Sequence, residues 1–165
     1  MSENRSDDEG ELHGFGGIFL LIQLLDAGCA MSVKKAILCV DDEILILVSI
    51  IQELKRVFGT QYIYEQATDA ESALEVVQEL YREEVEVVYI ISDWLMPGMK
   101  GDVFLDIVHD RYPFIKAVMI TGHADQQAIA RVKQNPSVLA VFSKPWSPVE
   151  LIAVLSEPGN QNQDT

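Results

Sequence analysis

The run Val85-Glu86-Val87-Val88-Tyr89-Ile90-Ile91-Ser92-Asp93-Trp94-Leu95-Met96-Pro97-Gly98-Met99-Lys100-Gly101 decides the fold. Its first part, Val85 to Ile91 broken only by Glu86, is short and β-branched, as a strand buried on both faces of a parallel sheet should be. The apolar run stops at a carboxylate, so Asp93 stands at the strand's carboxyl end. Pro97, Gly98 and Gly101 then force a loop before apolar periodicity resumes at Val103. Open α/β sheets bind ligands at such strand-to-helix junctions, which makes Asp93 the candidate reactive group.

On either side of this run the chain alternates. Ala36 to Val40 reads as a strand ended by Asp41-Asp42-Glu43, followed by a helix with Ile44, Leu47, Val48, Ile51, Leu54 and Phe58 on its core stripe and Gly59 as its stop. Tyr62 to Gln66 is a weaker strand. Thr68-x-x-Glu71 reads as a capping box opening a helix whose Ala70, Ala73, Leu74, Val77, Leu80 and Tyr81 share one face. Past Asp93 come a helix over 102–111, a strand over 115–120 closing on Thr121-Gly122, and a helix over 125–134 broken by Asn135-Pro136. A strand over 138–142 then turns outward at Ser143-Lys144-Pro145-Trp146. Ser147-Pro148-Val149-Glu150, with proline at the first helical position, opens a last helix that Pro158-Gly159 ends. Five strands alternating with five helices predict a three-layer α/β sandwich around a parallel sheet.

Composition bounds what such a domain does. With 165 residues, the chain suits one compact unit over 34–157, an N-terminal extension over 1–33 and a polar tail over 158–165. A formal charge of -14 argues against nucleic acid as a direct partner, because a phosphate backbone is bound by clustered Lys and Arg. Cys29 and Cys39 lack ligand spacing with His, so neither zinc nor a disulfide is expected, and a reducing, cytoplasmic setting is. Residues 1–11 carry five acids against Arg5 and read as disordered. The apolar stretch Ile18 to Leu25, broken by Gln23, is too short for a membrane span, and an acidic n-region argues against a signal peptide. Met31 is the expected natural start, residues 1–30 being an upstream misreading, a loose helix or, if translated, a small docking helix.

In a parallel sheet every strand points its carboxyl end the same way, so Asp41, Asp42, Asp93, Thr121 and Lys144 converge on one rim. Three neighbouring carboxylates raise one another's pKa unless a cation joins them, and an all-oxygen set suits Mg2+. Lys144 adds a positive charge and Thr121 a hydroxyl donor. Together these are parts for placing a phosphoryl group in line with the Asp93 carboxylate.

Asp41-Asp42, Asp93 with Met96-Pro97-Gly98, Thr121 and Lys144-Pro145, four separated stretches in order, resemble the receiver domain of bacterial two-component response regulators. The resemblance implies a flavodoxin-like fold with strand order 2-1-3-4-5. It implies that Asp93 accepts a phosphoryl group from a histidine kinase or histidine phosphotransfer protein. It also implies that Asp42, Asp93 and the main-chain carbonyl of Leu95 bind Mg2+ directly and Asp41 through water. Thr121 and Lys144 would contact the phosphoryl oxygens, and Lys144-Pro145 would be a cis peptide. Output would pass through a downstream protein target, with a homodimer through the face of helix 4, strand 5 and helix 5 as a further expectation.

This chain departs from the family pattern at Val141, where receivers carry an aromatic that swings inward; Phe142 next to it points to the opposite face. Leu95 and His123 stand at positions that influence phosphate loss in the family, and His123 is equally readable as a loop histidine. Trp94 and Trp146 are expected to bracket the pocket. The alternative function is a docking or dimerisation module whose phosphorylation is idle. A haloacid-dehalogenase-type phosphatase would need a second acid at Leu95, a flavodoxin would meet repulsion at Asp41-Asp42-Glu43, and no Gly-rich Walker loop is present. Turnover of an external substrate is therefore not expected.

Overall fold

The computed structural model describes residues 33–122 and 126–157. The expectations for the N-terminal extension, the C-terminal tail and His123 lie outside the described residues. Among the described residues ten elements alternate: β1 (Lys35–Val40), α1 (Ile44–Phe58), β2 (Ile63–Ala67), α2 (Ala70–Arg82), β3 (Glu86–Asp93), α3 (Gly101–Arg111), β4 (Lys116–Thr121), α4 (Gln126–Val132), β5 (Val138–Ser143) and α5 (Pro148–Ser156). The strands form one parallel sheet, as the alternating pattern predicts, in the order β2-β1-β3-β4-β5 that the resemblance implies.

Period-two alternation divides the strand side chains between two cores. Ala36, Leu38, Val40, Ile90, Ala117 and Met119 face α2, α3 and α4. Ile37, Cys39, Tyr89, Ile91, Val118 and Ile120 face α1 and α5. Strands buried on both faces explain why β1, β3 and β4 read as continuous apolar runs rather than alternating ones. Burial pushes the Cys39 thiol up to about 12, so this residue is a core side chain rather than a nucleophile.

Helix faces depart from the sequence reading at three places. In α1 the buried stripe is Leu47, Ile50, Leu54 and Phe58, whereas Ile44 and Val48 are exposed. The helix turns its apolar excess outward beside the carboxyl rim. In α2 the buried positions are Ala70, Ala73, Val77 and Leu80, and Tyr81 is exposed against Tyr112, with ring centroids 5.8 Å apart. The N-cap of α2 is Asp69, whose carboxylate accepts from the Ser72 amide at 2.7 Å. A carboxylate three positions before that amide caps better than the expected Thr68, which falls one residue too early. Gly59 ends α1 at φ +56°, a left-handed conformation that glycine adopts without strain.

Candidate functional site

The carboxyl ends of β1, β3, β4 and β5 set the site. Asp41 follows β1 and is buried, Asp42 beside it is exposed, Asp93 ends β3 and is buried, and Thr121 ends β4 and is buried. Lys144 follows β5, and its amide donates to the Thr121 carbonyl at 2.9 Å, tying the two strand ends together. The Lys144-Pro145 peptide is cis. One carboxylate oxygen from each of Asp41, Asp42 and Asp93 lies within 4.8 Å of the others.

Lys144 crosses this cluster. Its Nζ donates to Asp41 Oδ2 at 2.7 Å and to Asp93 Oδ2 at 2.9 Å, with Glu43 Oε1 at 4.0 Å. The other oxygen of each buried acid is held by main chain. Asp41 Oδ1 accepts from the Glu43 amide at 2.9 Å, and Asp93 Oδ1 accepts from the Trp94 amide at 2.6 Å and, more weakly, the Leu95 amide at 3.4 Å. Each carboxylate is therefore fixed in rotation, with Oδ2 turned toward the ammonium.

Burial pushes the Asp41 carboxyl above its ordinary value, against the Lys144 and Glu43 hydrogen bonds, and the charge of Asp93 adds to the rise. For Lys144, burial opposes the charged form, but hydrogen bonds and charges of Asp41 and Asp93 outweigh it and the pKa rises. The cluster thus sets three carboxylates against one ammonium, a charge deficit that a hard divalent cation fits. The donor set is all oxygen, as Mg2+ requires.

The cleft over this cluster holds about 650 Å3 and is lined by Asp42, Glu43, Asp93, Leu95, Met96, Pro97, Gly122 and Lys144. Leu95 is half-exposed at its edge. The two tryptophans do not bracket it. Trp94 is buried in the core that α2, α3 and α4 cover, and Trp146 packs against the opposite core. Val141 and Phe142 lie on opposite faces of β5, Val141 against the Trp94 core and Phe142 against the other.

Sequence reasoning missed what holds the loop after Asp93 down. Gly101 N donates to Trp94 O at 2.9 Å, and a Cβ on Gly101 would sit 2.1 Å from the Asp93 carbonyl oxygen. Asp102, buried one residue later, pairs with Arg131 of α4. A glycine opening a helix after a Pro-Gly loop was the available signal for the first; nothing local marks the second. Glu43, read only as the third acid after β1, reaches toward Lys144 and donates its amide to Asp41.

The family model for the response regulator receiver domain matches residues 37–156. The hydrogenase transcriptional regulatory protein HoxA of Cupriavidus necator is 32% identical over 123 residues, which cover 74% of this chain and 24% of that protein. The sensor kinase CckA of Brucella abortus is 28% identical over 127 residues, 77% of this chain and 13% of the kinase. The chain thus spans about a quarter or less of the curated relatives it matches. Among solved structures, the signal receiver domain of an HD domain-containing protein from Pseudomonas fluorescens Pf-5 is 30% identical. It aligns with a TM-score of 0.64 over 74% of this chain and 91% of that one.

Proposed function

The chain belongs to the response regulator receiver domain family, and from that premise we propose that Asp93 accepts a phosphoryl group from a phosphohistidine. The observation that carries this reading is the Lys144 ammonium bridging Asp41 and Asp93 across a rim where Asp42 completes a carboxylate triangle. Asp93 Oδ1 is occupied by main-chain N–H groups, so Oδ2 is the nucleophile. An Oδ2–P bond forms as the P–N bond to the donor's imidazole breaks; the imidazole leaves with the electron pair and takes a proton from solvent. Lys144 passes from Oδ2 to the incoming phosphoryl oxygens, and the Thr121 hydroxyl donates to another.

Asp42, Asp93 and the Leu95 carbonyl would hold Mg2+ directly and Asp41 through water, and the ion when bound neutralises charge on the transferring group. Residues 34–157 act as the receiver unit. The donor is a sensor histidine kinase or histidine phosphotransfer protein in the cytoplasm, and the readout is a downstream protein or a second copy meeting the α4, β5 and α5 face. No helix among the described residues is long and apolar enough to cross a membrane.

The test is incubation with acetyl phosphate and Mg2+ followed by intact mass. Gain of one phosphoryl group is expected; no gain would favour a receiver fold used for docking or dimerisation independently of phosphorylation.

A further inference from the structure

Resting on the phosphoacceptor reading, we propose that the indole of Trp94 is the positioning side chain that passes a change at Asp93 to α4, by moving its unpartnered N–H onto Gln127. Three observations converge on it. The first is a direct link to the acceptor. Trp94 donates its amide to Asp93 Oδ1 at 2.6 Å and accepts from Gly101 at 2.9 Å, so its backbone is suspended between the acceptor and the start of α3.

The second is an unsatisfied group. Trp94 is 9% exposed, and its Nε1 is buried with no hydrogen-bond partner. Buried polar groups are nearly always paired, and an orphan donor favours any rearrangement that gives it an acceptor. Lys100 Nζ, 4.8 Å from the ring centroid, covers the π face but offers the N–H nothing.

The third is room to move. A cavity of about 310 Å3 lies against the ring, lined by Trp94, Lys100, Asp102, Gln127, Ala128 and Arg131. Close packing normally locks a core indole in one rotamer, and that constraint is missing on this side. Asp102 is already engaged by Arg131. Asp102 Oδ1 in turn accepts from the Val103 amide at 2.9 Å, so both of its oxygens are engaged, and the uncharged side-chain acceptor among the lining residues is the Gln127 amide oxygen of α4.

Acylation supplies the trigger. An ionised carboxylate holds an N–H about twice as strongly as a neutral acceptor does. When Oδ2 bonds phosphorus, Oδ1 becomes the carbonyl oxygen of a neutral acyl group and the Trp94 amide bond weakens. The backbone that carries the indole is released at the moment the acceptor is charged, and the ring swings until Nε1 meets Gln127.

The experiment uses the full chain with Trp146→Phe, which leaves Trp94 as the one tryptophan of two. Acetyl phosphate and Mg2+ are added, intact mass reports acylation, Trp94 emission reports its surroundings, and hydrogen exchange reports residues 126–132. The expected result is a shift of the emission maximum and a several-fold slowing of exchange in α4. Gln127→Ala, a surface substitution, gains the phosphoryl mass but loses the α4 response; Trp94→Phe, compared per phosphorylated molecule, loses it as well. An α4 response that persists in both variants, or phosphorylation with no change in Trp94 emission, overturns the proposal while leaving Asp93 as acceptor. A chain that gains no mass overturns the acceptor reading and this one with it.

Discussion

Lys144 Nζ stands 2.9 Å from Asp93 Oδ2, although 51 positions separate the two residues in sequence. The parallel sheet explains the encounter: β3 and β5 end on the same rim with β4 between them, and the cis Lys144-Pro145 peptide follows at once. Lys144 also reaches Asp41, so one ammonium serves two buried carboxylates from separate strands. Strand order, rather than any local motif, sets this geometry.

Lys144→Met should therefore slow phosphoryl uptake from acetyl phosphate by about 10²-fold or more, the usual cost of removing one preorganised charge from a transferring group. Uptake followed by intact mass over time checks this. Unchanged kinetics would mean that the ammonium only balances Asp41.

Magnesium should stabilise the fold. A ligand that binds the native state adds about 2.7 kcal/mol at a hundredfold excess over its dissociation constant. Asp42 is the exposed member of the carboxylate triangle, so Asp42→Asn is tolerated structurally. Thermal unfolding with and without Mg2+ should show a rise in Tm for the wild-type chain and little or none for Asp42→Asn.

Gly101→Ala should destabilise the chain by about 3 kcal/mol or more, because overpacking against backbone has no side chain to yield. The added Cβ meets the Asp93 carbonyl oxygen at 2.1 Å, so the acceptor is displaced with it. Urea denaturation measures the loss, and the same variant should take up less phosphoryl label. An alanine with wild-type stability would contradict the close approach.

Much of this was legible in the sequence because it is periodic or punctuated. Apolar runs ending on Asp41, Asp93 and Thr121 fix both the strands and their polarity, and Lys144-Pro145 closes the last one. Less legible was what depends on rotation about a helix axis. Ile44 and Val48 belong to the apolar pattern of α1 yet are exposed, since Leu47, Ile50 and Leu54 already fill the space under the helix. Trp94 reads as a shelf beside the pocket, but its side chain is buried in the core that α2, α3 and α4 cover while its amide serves the carboxyl rim. The Asp102–Arg131 pair joins α3 to α4 and leaves no trace in local spacing.

Tyr89 gives a pH signature independent of the rim. Its hydroxyl donates to the Leu155 carbonyl at 2.9 Å, and burial pushes its pKa from 10.0 up to about 12. A folded-state pKa above the unfolded one gives stability that is fully present below pH 10.0 and lost as pH rises through about 12. Tyr89→Phe should cost about 1 kcal/mol at neutral pH and remove that alkaline loss. Denaturant midpoints at neutral pH and above pH 10.0 check both.

The central claim is that one carboxylate, Asp93, forms the acyl phosphate. The most direct measurement is borohydride reduction of the chain after treatment with acetyl phosphate and Mg2+, which converts an aspartyl phosphate to homoserine, followed by peptide mass analysis. Homoserine at position 93, absent in Asp93→Asn, is the predicted result. Homoserine elsewhere, or equal phosphoryl gain in Asp93→Asn, would contradict it.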